Sequence, residues 1–360
     1  MKILIVKLGS IGDIVHTLPT LSAIRKAIPQ AEITWVVESR TSEILRDNPT
    51  LDRLIELDTK AVRRRLVSGE TLLYLLQQLR QLNASPFDVA IDFQGLIKSA
   101  LIMFLSKAKR RCGFVRSALR EKQSRFLLNQ TFAVPSRSHV IVKNLTLAEK
   151  ALDISVPISP YDFEFPICVS TEHENEADKA IETIGHNFAI LNPGGGWYTK
   201  LWSPERFGLL ADALWNNYKI KSAVTYGPGE EEPALRVVNS SESKQAHAIN
   251  LSLKGFYSLA KCASLYVGGD TGPTHLAVAA KTPIVGLFGP TEWWRNGSPF
   301  LEDVCVERND IDCRENCHRR SCNKWVCMDI EVERVLNAVE KRLNLTKIVQ
   351  ITSKEMAKIG

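Results

Sequence analysis

Ile3-Leu4-Ile5-Val6-Lys7-Leu8-Gly9-Ser10-Ile11-Gly12-Asp13 is a short apolar run that ends in a glycine turn. The same grammar returns far along the chain in Leu265-Tyr266-Val267-Gly268-Gly269-Asp270-Thr271-Gly272-Pro273-Thr274-His275, which feeds the apolar segment Leu276-Ala277-Val278-Ala279-Ala280. A buried strand that ends in small residues and runs into a helix leaves backbone N–H groups aimed at open space. The helix dipole adds positive potential there. Each turn is therefore a candidate site for an anion or for a buried carboxylate. Two such turns in two halves predict two similar domains facing across a cleft, with a charged ligand across it.

The pattern around both turns supports this division. Apolar runs at 2–8, 33–37, 54–57 and 89–93 alternate with amphipathic stretches at 14–28, 42–46, 66–82 and 96–105. Such alternation predicts an α/β fold in which helices cover a parallel sheet. Pro19 predicts a kink or a late start in the first helix. The proline-rich break Val156-Pro157-Ile158-Ser159-Pro160 to Pro166 reads as the linker, and strand–helix alternation resumes after it. The expected organisation is an N-terminal Rossmann-like domain over 1–160, a second one over 161–345 with a cysteine-rich loop at 305–327, and a tail at 346–360.

A chain of 360 residues suits two domains. Its 44% hydrophobic content suits sizeable cores, and its formal net charge of +6 suits an anionic substrate or a membrane surface. No apolar run approaches the ~18 residues of a membrane-spanning helix, and the N-terminal run is too short for a signal peptide. A cytoplasmic protein is expected.

The two turns suit different chemistry. The first reads G-x-x-G-D, not the G-x-G-x-x-G of dinucleotide binders, although Glu38 stands where a dehydrogenase keeps its ribose-binding acid. Asp13 falls at the helix start, where it would repel a pyrophosphate, so the turn suits a catalytic base better than a nucleotide. The spacing equally permits Asp13 to be a helix cap. The second turn is the better diphosphate site: Thr271 and Gly272 offer N–H groups and a hydroxyl at a helix start, and Asp270 offers an acceptor for a sugar hydroxyl. His275 reads as a site residue in preference to a structural helix histidine.

A third element, Asn192-Pro193-Gly194-Gly195-Gly196-Trp197-Tyr198-Thr199-Lys200, lets backbone approach a ligand closely and supplies a point charge. Gly227-Pro228-Gly229-Glu230-Glu231 offers a carboxylate for nucleoside hydroxyls, or merely an acidic first helical turn.

Five of the eight cysteines crowd into Cys305, Cys313, Cys317, Cys322 and Cys327. The spacing C-x3-C-x4-C-x4-C beside His318 is loose against the C-x2-C knuckles of zinc sites. A structural loop, closed by a disulfide or by packing, is expected, with no metal.

The strings IVKLGSIGDIVHTLPTL, ITWVVE, FDVAIDFQGLIKSA, KLWSPERF and GGDTGPTHLAVAA, then VGLFGPT, resemble the lipopolysaccharide heptosyltransferases of glycosyltransferase family 9, with the type I branch most similar. The resemblance runs over nearly the whole chain. It implies a GT-B architecture and inverting transfer of L-glycero-D-manno-heptose from ADP-heptose to Kdo on lipid A, without a cofactor. It also implies a monomer peripherally bound to the cytoplasmic face of the inner membrane, with no nucleic-acid partner. A heptosyltransferase of type II or III, or a relative using another nucleotide sugar, is the alternative.

On this resemblance Asp13 is the general base, while Lys200, Asp270, Thr271, Gly272 and His275 bind the donor. Gly195 and Gly196 stand where the type I enzymes commonly carry threonines, so their backbone N–H groups take over the donor contacts. The nucleoside contact falls on Glu230 or Glu231. Acceptor carboxylates and phosphates would be met near Gly12 by basic residues, with Arg63, Arg64, Lys98 and Arg120 foremost and Arg65, Lys109, Arg110, Arg111 and Arg116 beside them. An inverting transfer needs one base and positive charge at the departing diphosphate. A nucleotide-dependent dehydrogenase is disfavoured by the missing fingerprint, and a non-catalytic binding protein by the presence of Asp13 and Lys200.

Overall fold

The computed structural model describes all residues except 60–68, 85, 314–316, 318 and 357–360. The chain divides into two compact units, Met1–Cys168 and Val169–Gly360. Each is built on one six-stranded sheet whose strands all run parallel.

In the first unit the strands are β1 (Lys2–Val6), β2 (Glu32–Glu38), β3 (Arg53–Leu57), β4 (Val89–Asp92), β5 (Arg110–Phe114) and β6 (Gln130–Phe132), ordered β3-β2-β1-β4-β5-β6. Ile3, Leu4, Ile5 and Val6 are fully buried, as expected of a parallel strand covered on both faces. The predicted first helix is two helices, α1 (Ile11–Val15) and α2 (Leu18–Ala27). Pro19 sits in the first turn of α2, where its missing N–H costs nothing. Strands β5 and β6 were not legible in the sequence, because β5 opens on Arg110-Arg111 and β6 is three residues long. The remaining helices of this unit are α3 (Gly69–Leu82), α4 (Ile97–Leu105) and α5 (Val140–Leu152).

The second unit repeats the plan. Its strands β7 (Phe188–Asn192), β8 (Lys221–Tyr226), β9 (Ala246–Asn250), β10 (Leu265–Gly269), β11 (Ile284–Phe288) and β12 (Val304–Glu307) are ordered β12-β11-β10-β7-β8-β9. Counted from its own first strand, this is the order of the first unit. Both are doubly wound sheets of Rossmann type, with the winding direction reversing between β1 and β4 in one and between β7 and β10 in the other.

Helices α6 (Thr171–Ile184), α7 (Pro204–Tyr218), α8 (Glu231–Ser240), α9 (Leu253–Cys262), α10 (Gly272–Ala279), α11 (Trp293–Asn296) and α12 (Val332–Met356) complete the unit. Its core gathers Trp202, Phe207, Leu214, Val267, Val285 and Val339. The last helix is fastened to the sheet by the Arg342–Asp303 ion pair at 2.8 Å, both side chains being largely buried.

Candidate active site

Ligands of doubly wound sheets bind beyond the carboxyl ends of the strands where the winding reverses. In the first unit that point is the end of β1 and β4, and the glycine turn after β1 lies there. Lys7, one residue beyond β1, is almost completely buried. Its Nζ donates to the Phe93 carbonyl at 2.8 Å and stands 3.0 Å from Asp13 Oδ1.

Ser10 caps α1 by accepting from the Asp13 N–H, and Asp13 Oδ2 accepts in return from the Ser10 N–H at 3.1 Å. Asp13 is thus the reciprocal member of the capping box closed by Ser10 and also the partner of a buried cation. Burial raises its proton affinity, but Lys7, the Ser10 N–H and Arg120 outweigh burial and bring its pKa down from 3.8 to about 2. Its side chain remains 28% exposed, so a ligand can reach it.

The segment after β4 holds this turn in place. Gln94 Oε1 accepts from the N–H groups of Leu8 and Gly9 at 3.1 and 3.2 Å. Those two donors are therefore spent within the protein. Asp92 is fully buried and accepts from the N–H groups of Gln94 and Gly95 and from the Ser99 hydroxyl. Burial pushes its pKa up to about 6 despite those donors.

The structure corrects two readings of neighbouring charges. Glu38 is not a free ribose ligand: it is buried and accepts from Thr59, and Lys98 reaches it at 3.2 Å. Arg110 and Arg111 are strand residues whose guanidiniums donate to the carbonyls of Ala151 and Leu127. Arg120 is exposed and electrostatically coupled to Asp13, and Gly12 lies buried in α1. Arg63 and Arg64, with Arg65, lie outside the described residues.

In the second unit the reversal point brings together the loop after β7 and the turn after β10. Lys200 Nζ donates to Asp270 Oδ2 at 2.6 Å and to the Asp270 carbonyl at 3.1 Å. His275 Nε2 lies 3.1 Å from Asp270 Oδ1. Both carboxylate oxygens are therefore engaged, so Asp270 anchors two cationic or polar side chains, with one further lone pair on each oxygen. Burial opposes its charge, yet His275 and Lys200 hold its carboxyl far below the usual range.

An ammonium has three donors, and two of those on Lys200 are spent on Asp270, leaving one for a ligand oxygen. Thr271 stands at the N-cap of α10 without a side-chain cap bond, so the first N–H groups of that helix add their potential here. A Cβ on Gly194 would meet the Glu230 carboxylate, the movable end of a flexible side chain, whereas one on Gly195 would lie 2.8 Å from Thr271 Cγ2 and 3.1 Å from Leu201 Cδ2, so the close approach of the loop depends most on Gly195. Gly196 meets no such crowding. Glu230 accepts from the Gly227 N–H at 3.3 Å beside this loop, whereas Glu231 is exposed in the first turn of α8.

The cysteine segment forms a loop without the disulfide that its spacing allowed. Cys305 belongs to β12, and all eight cysteines are free thiols, so no disulfide closes the loop. Cys313, Cys317, Cys322 and Cys327 instead line one small cavity with Thr199, Pro290 and Trp325. Among the described residues no group of three or more His, Cys, Asp or Glu side chains is arranged to hold a metal ion.

This loop rests on the one that carries Lys200. Thr199 Oγ1 donates to the Arg319 carbonyl at 2.6 Å, Tyr198 stacks on Trp325 at 4.2 Å, and Arg320 lies 4.7 Å over Trp197. Lys200 itself lies 4.4 Å from the same Trp197 ring. The sequence reading missed Lys7, Gln94 and this contact. A lysine interrupting the apolar run Ile3–Leu8 was the visible sign of the first.

Two doubly wound units, each with charged side chains gathered at its reversal point, define the GT-B class of glycosyltransferases. The chain is similar in structure to Escherichia coli heptosyltransferase WaaC with ADP, at 24% identity and a TM-score of 0.76, over 95% of this chain and 100% of that one. The same enzyme with ADP-2-deoxy-2-fluoro heptose matches at 23% identity and a TM-score of 0.74, over 96% of this chain and 100% of that one. In sequence it is 30% identical to lipopolysaccharide heptosyltransferase 1 of Pseudomonas aeruginosa over 326 residues, 89% of this chain and 87% of that protein. Residues 75–326 match glycosyltransferase family 9 (heptosyltransferase), and the chain belongs to that family.

Proposed function

We propose that this glycosyltransferase moves L-glycero-D-manno-heptose from ADP-heptose to a Kdo sugar of lipid A, with inversion at the anomeric carbon. The observation that carries the reading is the concentration of positive potential at the ends of β7 and β10, where Lys200 and the start of α10 meet over Asp270. A departing diphosphate develops its charge at such a place, and preorganised donors stabilise it without rearranging. Family membership and the names of the relatives support heptose as the sugar and ADP as the carrier.

In the first unit Asp13 acts as the base for the acceptor hydroxyl. With a pKa of about 2 it is ionised at any physiological pH, but it is a weak base while Lys7 faces it. An acceptor bearing carboxylates raises its proton affinity by like-charge proximity, and the exposed Arg120 offers that acceptor a counter-charge. Glu230 contacts the nucleoside in preference to Glu231, because it alone of the two lies against the glycine loop.

The test is to incubate the enzyme with Kdo–lipid A and, in turn, ADP-heptose, UDP-sugars and GDP-sugars, and to assign the product anomer by NMR. Inverted heptosyl product from ADP-heptose alone is expected. Transfer from another nucleotide sugar with ADP-heptose inert, or retention of configuration, overturns the reading.

A further inference from the structure

Helix α4 has its apolar residues on the wrong side for a soluble protein. Its inward face is Ser99, Ala100 and Met103, all fully buried, while Ile97, Leu101, Phe104 and Leu105 are 44%, 45%, 50% and 37% exposed. Their spacing of four, three and one puts them on one stripe of the helix. The short helical turn Lys122–Leu127 packs against α4, and on it Phe126 is 81% exposed. Isolated exposed apolar residues are ordinary, but four on one stripe of a helix, with a fifth on the turn packed against that helix and two aromatic rings among them, mark a surface that water does not normally cover.

The charge of the same region identifies what covers it. From Ile97 to Phe126 the chain carries nine Lys or Arg residues and a single acid, Glu121. Lys107, just past the C-terminus of α4, and Lys122, at the start of the adjoining turn, are exposed. The Arg111 guanidinium lies 5.5 Å over the Phe104 ring. Glu121 is turned to the Ile97 N–H, which it accepts at 2.7 Å. Lys98 and Lys109 of this stretch pair with Glu38 and Asp88, while the exposed Lys107 and Lys122 stand beside the apolar elements and Glu121, the one acid of the stretch, is engaged internally. This arrangement fits an anionic lipid headgroup layer: acyl chains receive the apolar stripe and phosphates receive those two lysines. No described helix is long and apolar enough to cross a membrane, so such contact is made at the interface.

We propose that α4 and the turn Lys122–Leu127 form a docking surface for an anionic phospholipid bilayer, with Leu101, Phe104 and Phe126 entering the interface and Lys107 and Lys122 meeting the phosphates. The surface acts independently of the sugar chemistry at Asp13 and Lys200. A membrane-embedded acceptor is thereby met by an enzyme already held at its depth, so that encounter becomes a search in two dimensions.

The full chain is mixed with vesicles of phosphatidylcholine alone or with phosphatidylglycerol, neither containing Kdo or lipid A, and bound protein is measured by flotation. Binding to the anionic vesicles is expected, weakened at least tenfold in Phe104→Ser/Phe126→Ser and about fivefold for each charge lost in Lys107→Gln and Lys122→Gln. These side chains are exposed, so the variants keep the parent's melting curve and its turnover on a water-soluble Kdo acceptor, while turnover on vesicle-embedded acceptor falls. Absence of parent binding overturns the proposal, as does equal binding by the double variant. So does a concentration-dependent dimer that the double variant abolishes without any vesicle binding, since the face would then belong to a second copy of this chain.

Discussion

Replacing Lys7 by Met tests the electrostatics on which the proposed base depends. In the parent, Asp13 has its pKa brought from 3.8 to about 2, equivalent to about 2.5 kcal/mol in favour of the carboxylate. Burial acts against that ionisation, and the largest single force for it is the Lys7 ammonium at 3.0 Å. Methionine fills similar volume without charge, so burial then dominates and the pKa of Asp13 rises above 3.8.

The sign for stability follows. A carboxyl depressed in the folded state contributes stability that is fully present above its unfolded value near 3.8 and is lost as pH falls toward 2. In Lys7→Met that acid-side loss disappears. Overall stability falls by about 3 kcal/mol at neutral pH, because Asp13 stays largely buried without its partner and the Phe93 carbonyl loses its donor.

The measurements are a carboxyl-carbon NMR titration of Asp13, urea unfolding between pH 3 and 7, and the acidic limb of kcat/KM. All three move together if Lys7 controls Asp13: the NMR pKa and the kinetic limb go up, and the stability curve flattens at low pH. A folded Lys7→Met protein whose Asp13 still titrates near 2, with an unmoved limb, refutes the reasoning.

Asp13→Asn is expected to keep ADP affinity while turnover drops by roughly 10²–10⁴ and the melting temperature falls by several degrees, since the buried Lys7 loses its counter-charge; near-parent turnover in the folded variant would leave Asp13 with a structural role only. Lys200→Ala should weaken ADP binding and slow transfer together, read by calorimetry and steady-state kinetics, because it also leaves the Asp270 carboxylate with His275 alone; unchanged ADP affinity would move the diphosphate elsewhere. Added Mg²⁺ or Mn²⁺ should change the turnover number less than twofold, since on the proposed reading Lys200 and the start of α10 supply the positive potential for the leaving group; a tenfold activation would count against that assignment. Thr199→Val removes the hydrogen bond to Arg319 and should raise the KM for the donor several-fold with little change in melting temperature; an unaltered KM would separate the cysteine loop from the donor site.

Much of this protein was legible before any coordinates. The alternation of apolar runs with amphipathic stretches announced two parallel α/β units, because a strand covered on both faces must be apolar throughout, as Ile3–Val6 and Leu265–Val267 are. The glycine turns marked the points where the winding of each sheet reverses, since a chain passing from β1 or β10 into a helix needs small residues there. Local patterning also placed Pro19 in a first helical turn and Asp13 at a helix start. The last two strands of the first sheet escaped it: β6 is too short for a period to show, and β5 begins with arginines whose charges are satisfied by carbonyls remote in sequence.

What tertiary structure alone decided is which polar groups face one another. Sequence spacing could not tell that Gln94 takes the N–H groups of Leu8 and Gly9, that Lys98 is held by Glu38, or that Asp270 spends both oxygens on Lys200 and His275. Nor could it bring the cysteine loop onto the strand-end loop that carries Lys200. Hydrophobic burial acts through patterns that repeat every two or four residues, so the chain displays it locally. A hydrogen bond or ion pair depends on two atoms arriving within about 3 Å, and only the completed packing of each sheet sets that distance.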